Sequence, residues 1–549
     1  RLTIFAAVAI SIGFFALTEI PLGIPCEWTW IRIEYSGEAW LTLSAVLLAM
    51  TVFAVFVLVA WAGANRVATA SRTELAGWLL ALTIAGFFWL HAVQDTPTSG
   101  LNSAKLPFIL YYPSSSGYFY KASYEVDDTS ALLRDYEETV RHGDTLHEGT
   151  HPPGLVVLFR GLIWFAELAP EAAALPQIVL PESGREAFEF IRSVAARPLT
   201  SRDQSVLWLA AMLTQVAAVL VVVPLFFLLR LTLNREAAWR AICFWPLVPA
   251  VAVFLPKSDV LFALGSSLLV CLWVYAVRAA TSSSGETPKL QPVKALLLGS
   301  LAGAVGWLGL FCSLAFLPAG AIAVAASVLL FREPTQADSD SPALSKTKTH
   351  LLWSARLHRW PLAGGVLSFV FLTALMAVAW DLNLLCVWQL NYANHARFYE
   401  VSSRSYFGWL MINPLELALA IGAPLAVLLV CGLRSAEPRE DNLPFNIRSL
   451  FDTTFAAPVA VGLVWGLLWL TGKNSGEAAR LWVPLMPLAL WAGGSIWQSD
   501  ESTSGGKANA DPQSQSTRDW LIVLSVQAVV CLATVLLVTG FGKEQSGLE

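Results

Sequence analysis

The sequence predicts an all-α, multi-pass membrane protein with about thirteen transmembrane helices. Hydrophobic residues make up 56% of its 549 residues and charged residues 14%, whereas about 25% of a soluble protein is charged. Apolar stretches of about 20 residues, long enough to cross the hydrocarbon core of a bilayer, recur along the chain. They lack the alternation of polar and apolar residues that is typical of outer-membrane barrel strands.

The composition also limits the classes of function. It excludes a soluble enzyme and a disordered chain, both of which are less apolar. The formal net charge is −5, and a protein that binds nucleic acid electrostatically needs a basic surplus. The seven cysteines are scattered without a CxxC pair, which predicts neither a disulfide framework nor a zinc finger. We therefore expect the lipid bilayer as a partner and no nucleic acid.

Thirteen apolar stretches are long enough to be spans. We expect the first to be retained, because it is too long for the apolar core of a signal peptide. A fourteenth stretch, 155–168, is short and contains Arg160, and we expect it to form a juxtamembrane or re-entrant helix. The predicted spans are 3–24, 40–63, 75–93, 206–229, 238–255, 259–277, 293–311, 313–331, 362–381, 408–432, 452–471, 480–497 and 519–541.

The distribution of Lys and Arg predicts how these spans are oriented, because short cytoplasmic loops are enriched in both residues. One set of loops, together with Arg1, holds 19 of the 35 Lys and Arg, and the short loops on the other side hold seven. This distribution predicts a cytoplasmic N-terminus, with the other set of loops on the periplasmic or lumenal side. We expect a bacterial inner membrane, with the active site facing the periplasm. The predicted cytoplasmic loops are 64–74, 230–240, 278–294, 332–361, 433–451 and 498–518.

A single transmembrane domain is predicted over 1–549, with a large extracytoplasmic loop, 94–204, that bears juxtamembrane helices. This loop holds 15 of the 40 acidic residues. The cytoplasmic loops contain neither a P-loop nor another Gly-rich phosphate cradle. Any chemistry is therefore expected on the outer side, without cytoplasmic ATP.

Within this loop, Asp127 and Asp128 precede a short predicted helix, 129–141. Adjacent carboxylates repel each other, so one of them can acquire a raised pKa and serve as a general base. Either residue can also cap the helix. A helix cap with solvated charges is therefore the structural alternative to a catalytic pair.

Further along the same loop, His147, Glu148 and His151 follow the predicted helix. Carboxylates and imidazoles are suitable ligands for a divalent metal. We predict a tentative metal site formed by Asp127, Glu148 and His151. Pro152 and Pro153 come next and stiffen the chain before another helix, whose N-terminus could bind a phosphate.

The order of these motifs resembles the first extracytoplasmic loop of the GT-C glycosyltransferases, which include protein O-mannosyltransferases and lipid A aminoarabinose transferases. The motifs are, in order, Asp127-Asp128, a short helix with Tyr136, Gly143-Asp144, and His151-Pro152-Pro153-Gly154. About 40 residues carry the resemblance closely, and the predicted topology extends it to the whole chain.

The resemblance implies an inverting transfer of a sugar from a polyprenyl-phosphate donor to a hydroxyl acceptor outside the cytoplasm. It places the acid that activates the acceptor, or helps to bind a metal, at Asp127. Asp128 stands where the family usually has Glu, so either carboxylate could be the base. Thr150 stands where the family has a possible metal-binding Glu, for which Glu148 or His147 could substitute.

By the same resemblance His151, which matches the family's His or Lys before the prolines, is a candidate for substrate binding. Charged residues in three other outer loops are further candidates. Lys257 and Asp259 lie between two predicted spans, where burying charge is costly unless the charge is paired or functional. Arg397 belongs to a polar loop, 382–407, that could cover a site. Lys473 and Arg480 precede a late span, and Arg is well suited to bind phosphate. The structural alternatives are a helix cap, an interfacial helix and snorkelling anchors, respectively.

Two other functions remain open at this stage. A transporter or flippase of a lipid-linked substrate would show inverted repeats and broken helices that meet within the membrane. Pro246-Leu247-Val248-Pro249 is one such break, but the sequence shows no clear paired equivalent. A non-catalytic relative would have lost the acidic pair, which is present here.

Overall fold

A computed structural model describes residues 2–35, 39–142, 149–281, 290–331, 343–401, 404–435, 455–473, 475–497 and 512–542. The chain is predominantly helical, as the apolar sequence predicts. Its α-helices are Leu2–Leu17, Ala39–Ala64, Arg72–Gln94, Lys105–Tyr111, Tyr118–Tyr124, Thr129–Arg134, Tyr136–His142, Gly154–Leu168, Pro170–Ala174, Glu182–Val194, Ser201–Leu220, Val222–Leu229, Arg235–Ile242, Pro249–Phe254, Ser258–Thr281, Leu290–Cys312, Phe316–Leu330, Ala343–Trp380, Leu384–Val401, Tyr406–Ile421, Ala423–Ser435, Ala456–Leu470, Ala478–Leu481, Met486–Gly493 and Pro512–Leu537. The 3₁₀ helices are Leu175–Val179, Trp245–Leu247, Val483–Leu485 and Gly494–Trp497.

Within these described residues, seven helices are long and apolar enough to cross a membrane, or eight if a bent pair counts as one span. This agrees with an all-α multi-pass membrane protein, but it does not confirm the predicted count of thirteen. Four further apolar helices are shorter: Leu2–Leu17, Phe316–Leu330, Ala456–Leu470 and Val483–Trp497. The seven long ones are Trp40–Ala64, Arg72–Gln94, Ser201–Leu229, Ser258–Ala280, Gln291–Cys312, Ser354–Trp380 and Gln515–Leu537.

A small antiparallel sheet is the part of the fold that the all-α prediction lacks. Its three strands, in sheet order, are Gly23–Ile24, Trp28–Arg32 and Val538–Gly542. The first helix accordingly ends at Leu17 and not at 24. Arg32 donates hydrogen bonds to the carbonyls of Phe14 and Ile20 at 3.2 and 2.7 Å. It thereby connects the second strand to the last turn of the helix and to the segment that follows it.

Two predicted spans are broken at prolines. The stretch 238–255 becomes the tail of Arg235–Ile242, a 3₁₀ turn and Pro249–Phe254, and 480–497 is divided in the same way. Pro246, Pro249, Pro484 and Pro487 lie at these breaks. Proline has no N–H to donate and its ring clashes with the preceding turn, so a continuous α-helix cannot pass through these positions without distortion.

A third predicted span, 408–432, bends by 106° between Tyr406–Ile421 and Ala423–Gly432. Gly422 forms the bend with φ of +97°, a conformation that other residues rarely adopt. The buried amide of Gln527 packs here and donates to the carbonyls of Ile421 and Leu247 at 2.9 and 3.1 Å. One side chain thus satisfies carbonyls at two separate helix breaks.

Close helix packing supports the bundle near Leu290–Cys312. A Cβ added at Gly299 or Gly303 would lie 2.3 or 2.4 Å from the carbonyl oxygens of Pro361 and Gly365, respectively. The two backbones are therefore almost in contact, which is the role that small residues have between membrane helices. Ser368 adds a hydrogen bond of 2.8 Å to the carbonyl of Ser300.

The helix Ser258–Thr281 connects two polar ends of the bundle. Asp259 lies in its first turn and Arg278 near its last. At ~1.5 Å per residue these positions are about 28 Å apart, close to the thickness of the hydrocarbon core. We call the end that carries Asp259 the site end.

Candidate functional site

The most concentrated set of charges at the site end consists of Lys257, Asp259, Glu477 and Arg480, which we call the Arg480 cluster. The Arg480 guanidinium donates to a Glu477 carboxylate oxygen at 2.9 Å. Its Nε lies 3.6 Å from an Asp259 oxygen. The side chains of Asp259, Glu477 and Arg480 are only 14, 13 and 24% exposed. The two carboxylates therefore share one cation in a largely desolvated setting.

Local chain geometry explains how these residues meet. Glu477 and Arg480 lie three positions apart around the short helix Ala478–Leu481, a spacing that allows a direct ion pair. Asp259 belongs to the first turn of Ser258–Thr281, where the helix dipole favours a negative charge. Burial alone would lower the pKa of Arg480, but Glu477 and Asp259 raise it above its ordinary value. Arg480 therefore stays charged.

Lys257 supplies the second cation of the cluster. Its ammonium donates to both the carbonyl and the hydroxyl oxygen of Ser115 in the large loop. Burial, and then the charge of Arg480, lower the pKa of Lys257 to about 8, although Asp259 and Glu477 act in the opposite direction. The charge of this lysine is consequently sensitive to mildly alkaline pH.

Beside the cluster lie three more basic side chains, His395, Arg404 and Lys473, which we call the basic rim. Burial, followed by the charges of Lys473 and Arg404, lowers the pKa of His395, while Glu477 raises it. Glu477 thus acts on both groups of residues. In the described part of the chain, neither Arg404 nor Lys473 takes part in an ion pair.

Aromatic rings hold the two permanent cations of the rim. Lys473 Nζ lies 5.1 Å from the ring centre of Tyr392 and 6.0 Å from that of Tyr399. The Arg404 guanidinium lies 5.3 and 5.2 Å from the ring centres of Trp28 and Phe398, respectively. Such cation–π contacts stabilise a cation without neutralising its charge. The rim therefore keeps its positive charge available for an anion.

The backbone at Gly476 is shaped to admit Arg404. Its φ of +91° lies in the region that favours glycine. A Cβ at this position would lie 2.6 Å from Arg404 Nη1. Arg404 also donates to the carbonyl of Ser475. The turn before Glu477 thus depends on the absence of a side chain.

Two further acids, Glu27 and Glu416, connect elements near the site, and neither was predicted from the sequence as a site residue. Glu416 is 1% exposed and accepts a hydrogen bond from Trp30 Nε1 at 3.0 Å. Glu27 accepts hydrogen bonds from Trp409 Nε1 at 2.7 Å and from the backbone N–H of Ser405. Both connect the small sheet to the helix Tyr406–Ile421. The signal that could have found Glu416 is an acid inside an apolar stretch, since it lies within the predicted span 408–432.

His151 approaches the Arg480 cluster through Tyr118. The rings of His151 and Tyr118 meet edge to face, with centres 6.1 Å apart, and Tyr118 in turn acts electrostatically on Arg480. His151 Nδ1 lies 3.0 Å from Thr150 Oγ1. The structure therefore brings together three of the predicted site residues, Lys257, Asp259 and Arg480. His151 is connected to them through the ring of Tyr118, and Lys473 lies in the adjoining basic rim.

Asp127 and Asp128 are both exposed. Asp128 accepts a hydrogen bond from the Ser130 N–H at 2.8 Å and caps the helix Thr129–Arg134, the structural alternative that the sequence left open. The carbonyl of Asp127 accepts from Arg160 at 3.4 Å. Among the described residues, no hydrogen bond or ion pair joins either carboxylate to the Arg480 cluster or to His151. Their catalytic role stays a prediction.

The Pro-Pro-Gly sequence after His151 has a packing explanation. Gly154 begins the helix Gly154–Leu168, and a Cβ there would lie 2.4 Å from the carbonyl oxygen of Phe311. Pro152 and Pro153 are buried. Tyr136 donates a hydrogen bond of 2.9 Å to the carbonyl of His151. The motif thus anchors the large loop against a membrane helix.

Arg397 is exposed and donates to Asn394 Oδ1 at 3.2 Å. The amide of Asn394 donates in turn to the carbonyls of Val140 and Gly149, each at 2.9 Å. The helix Leu384–Val401 is thereby attached to the large loop. Arg397 supports this attachment through Asn394, and among the described residues no hydrogen bond or ion pair joins it to the Arg480 cluster.

The predicted metal site is only partly within the described residues. Glu148, like His147, Gly143 and Asp144, lies outside them. Within the part that is described, no group of three His, Cys, Asp or Glu side chains is placed to hold a metal ion. The described residues alone therefore do not form a metal site. The site predicted at Asp127, Glu148 and His151 includes a residue outside them and stays a prediction.

Comparison with known proteins gives no relative from which a role could be transferred. No family model matches the chain, no curated protein matches it, and no solved structure matches its fold. The assignment of function therefore depends on the residues themselves.

Proposed function

We propose that this protein is a membrane glycosyltransferase that transfers a sugar from a polyprenyl-phosphate donor to an extracytoplasmic hydroxyl acceptor, with inversion. The observation that carries the proposal is the concentration of cations at the site end: Lys257 and Arg480 beside their carboxylates, and the adjoining basic rim. A phosphate linked to a membrane lipid matches this charge and this location. The resemblance of the large loop to GT-C enzymes supports the same function.

In the proposed reaction, Asp127 or Asp128 accepts the proton of the acceptor hydroxyl. The hydroxyl oxygen forms a bond to the anomeric carbon as the bond between that carbon and the phosphate oxygen breaks. The departing polyprenyl phosphate gains negative charge, which Arg480, Lys257 and the basic rim stabilise. Preorganised cations lower the barrier because they interact most strongly with the charge that develops in the transition state.

The proposal includes thirteen spans in a bacterial inner membrane, with the site facing the periplasm. Predicted outer segments contact one another, as Lys257 contacts Ser115 and Arg480 contacts Asp259. Predicted inner segments do the same, since Arg235 donates to the carbonyl of Ala70 at 2.7 Å. The proline-broken stretches 238–255 and 480–497 consist of short helical segments, yet each leads from one of these ends to the other.

The test is to incubate purified protein with a panel of polyprenyl-phosphate sugars and candidate acceptors and to identify products by mass spectrometry. Asp127→Asn and Asp128→Asn are compared with the wild type, since asparagine also caps helices and preserves the fold. We expect one of the two variants to lose transfer by about 10²-fold or more. Wild-type turnover in both would exclude this base, and no product from any donor would exclude the function.

A transporter or flippase of a lipid-linked substrate is the second candidate, because two helix breaks meet at Gln527. Discontinuous helices that meet inside the bundle are typical of secondary transporters. In proteoliposomes, this function predicts movement of a labelled polyprenyl-phosphate sugar between leaflets without chemical change. The glycosyltransferase predicts a new glycosidic product in the same assay.

A further inference from the structure

Three arginines gather at the end of the bundle opposite the candidate site. Arg230 directly follows the helix Val222–Leu229, Arg235 begins the helix Arg235–Ile242, and Arg278 lies near the end of Ser258–Thr281. We call them the arginine triad. Arg278 is 19 positions beyond Asp259 on one helix, about 28 Å at ~1.5 Å per residue. The triad is therefore separate from the Arg480 cluster.

The triad concentrates positive charge. Burial, followed by the charges of Arg235 and Arg278, lowers the pKa of Arg230, and only Tyr275 acts in the opposite direction. Within the described residues, neither Arg230 nor Arg235 forms an ion pair. The nearby carboxylate of Glu236 instead contacts Arg240. Arg230 and Arg235, two half-buried like charges with no ion pair in the part of the chain that the structure describes, indicate a place for an external anion.

The known contacts of these side chains leave donors free. Arg235 gives Nη1 to the carbonyl of Ala70, and Arg230 gives Nη1 to the carbonyl of Leu233. A guanidinium has five N–H donors, so each of the two retains several. Both are half-buried, and Arg230 directly follows the apolar stretch Ser201–Leu229, which is long enough to span a membrane.

An exposed aromatic surface adjoins the arginines on the lipid side. Phe227 is 40% exposed, and its ring meets that of Tyr275 edge to face at 6.4 Å. The guanidinium of Arg278 lies 5.7 Å from the ring centre of Tyr275. The arginines match the phosphate headgroup of a phospholipid, and the apolar surface beside them matches its acyl chains.

We propose that the arginine triad binds the phosphate headgroup of an anionic phospholipid, with the acyl chains against Phe227 and Tyr275. Guanidinium groups bind phosphate oxygens through two parallel hydrogen bonds, which favours arginine over lysine at such a site. Basic pockets between transmembrane helices are a recognised place for anionic headgroups. The site is independent of the proposed glycosyl transfer and would exist in a transporter as well.

The test uses the full-length protein in zwitterionic detergent, titrated with phosphatidylglycerol or, as a reference, phosphatidylcholine. Bound lipid is counted by native mass spectrometry, and thermal stability is followed in parallel. We expect phosphatidylglycerol to be retained preferentially and Arg230→Gln/Arg235→Gln to bind it about 30-fold more weakly. The matched control, Arg356→Gln/Arg359→Gln, removes the same charge from another helix and should bind as the wild type does.

Three outcomes would overturn the proposal: equal retention of the two lipids, an equal loss of binding in the control variant, or equal stabilisation by inorganic phosphate alone. If the double variant does not fold, Arg278→Gln replaces it, because Arg278 is exposed and its removal leaves both half-buried arginines in place. That variant should bind phosphatidylglycerol about fivefold more weakly. Unchanged binding in it would also contradict the site.

Discussion

Arg480 lies between Glu477 and Asp259, and this one guanidinium balances two largely buried carboxylates. Removing one partner of a buried ion pair leaves an uncompensated charge, which costs more than the pair itself contributes. Lys257 adds a second positive charge to the same cluster. At the scale of residues, the site is therefore a set of mutually dependent charges, in which an arriving phosphate would interact mainly with the cations.

Lys257 gives the site a predicted pH dependence. Its folded-state pKa of about 8 lies below the ordinary lysine value of ~10.4. Its positive charge is lost as the pH rises through about 8, so we expect kcat/KM for the donor to fall there. Lys257→Arg should move this decline above pH 10, since arginine stays protonated. A pH profile of kcat/KM measures both.

The same shift has the opposite effect on stability. Between pH ~8 and ~10.4 the unfolded chain keeps a proton at Lys257 that the folded chain has released, so the free energy of unfolding rises with pH. Denaturant titrations across this range should show the rise in the wild type and lose it in Lys257→Arg. A decline in kcat/KM that is identical in the variant would assign it to another group.

Part of this site could be predicted from the sequence. Lys257 and Asp259 stood out because charges beside apolar stretches are costly unless they are used. Arg480 stood out because arginine is well suited to bind phosphate. The roles of Glu477, Arg404 and His395 could not be selected in this way, because they follow from contacts between loops far apart in sequence. The acidic pair, Asp127 and Asp128, could be predicted as a motif. The motif alone does not determine where these two carboxylates lie relative to the cations.

At the scale of elements, breaks in helices shape the site end. The turn before Glu477 carries Ser475 and Gly476, which receive Arg404. The bend at Gly422 and the break near Leu247 meet at Gln527. The sequence predicted the break at Pro246-Leu247-Val248-Pro249 but not the bend at Gly422. It also could not predict that the two meet at Gln527, because this contact joins positions far apart in the chain.

Gly476→Ala should disturb the site through Arg404. Alanine at a φ of +91° costs about 1 to 3 kcal/mol, and its Cβ would displace the guanidinium. We expect a lower melting temperature and a raised donor KM. Gly466→Ala is the matched control, because a Cβ there meets nothing within 4 Å and alanine favours the helix. Equal stability of the two variants would contradict the strained turn.

Gln527→Leu should destabilise the two broken helices together. The change leaves the carbonyls of Leu247 and Ile421 and the N–H of Leu425 without their partner, at about 1 to 3 kcal/mol for each unsatisfied group. Thr534→Val on the same helix is the control, because Thr534 bonds only within its own helix. Thermal unfolding in detergent measures the difference, and equal melting temperatures would show that Gln527 does not join the breaks.

At the scale of the whole molecule, polar groups separate to two ends of an apolar bundle. The Arg480 cluster and the large loop lie at one end, and the arginine triad lies at the other. The composition could predict this membrane architecture, since no other environment accommodates so many exposed apolar helices. The count of thirteen spans is not confirmed, because seven or eight of the described helices are long enough to span a membrane and four further apolar helices are shorter.

The separation of the ends makes a prediction about sidedness. Single cysteines at Thr69 and at Glu400, introduced into a cysteine-free chain, should react with a membrane-impermeant maleimide from opposite sides of sealed vesicles. Glu400 should be accessible from the side of the candidate site. Labelling of both positions from one side would contradict the proposed topology.

The most direct measurement is the rate of sugar transfer from a polyprenyl-phosphate donor by the wild type, Arg480→Gln and Arg185→Gln. Arg185 is the control, because its ion pair with Glu182 is exposed on the large loop. The account predicts that the wild type and Arg185→Gln form the same glycosylated product. It also predicts that Arg480→Gln, still folded, is slower by about 10²-fold or more, the magnitude typical of losing a group that stabilises transition-state charge. Undiminished transfer by Arg480→Gln would contradict the account.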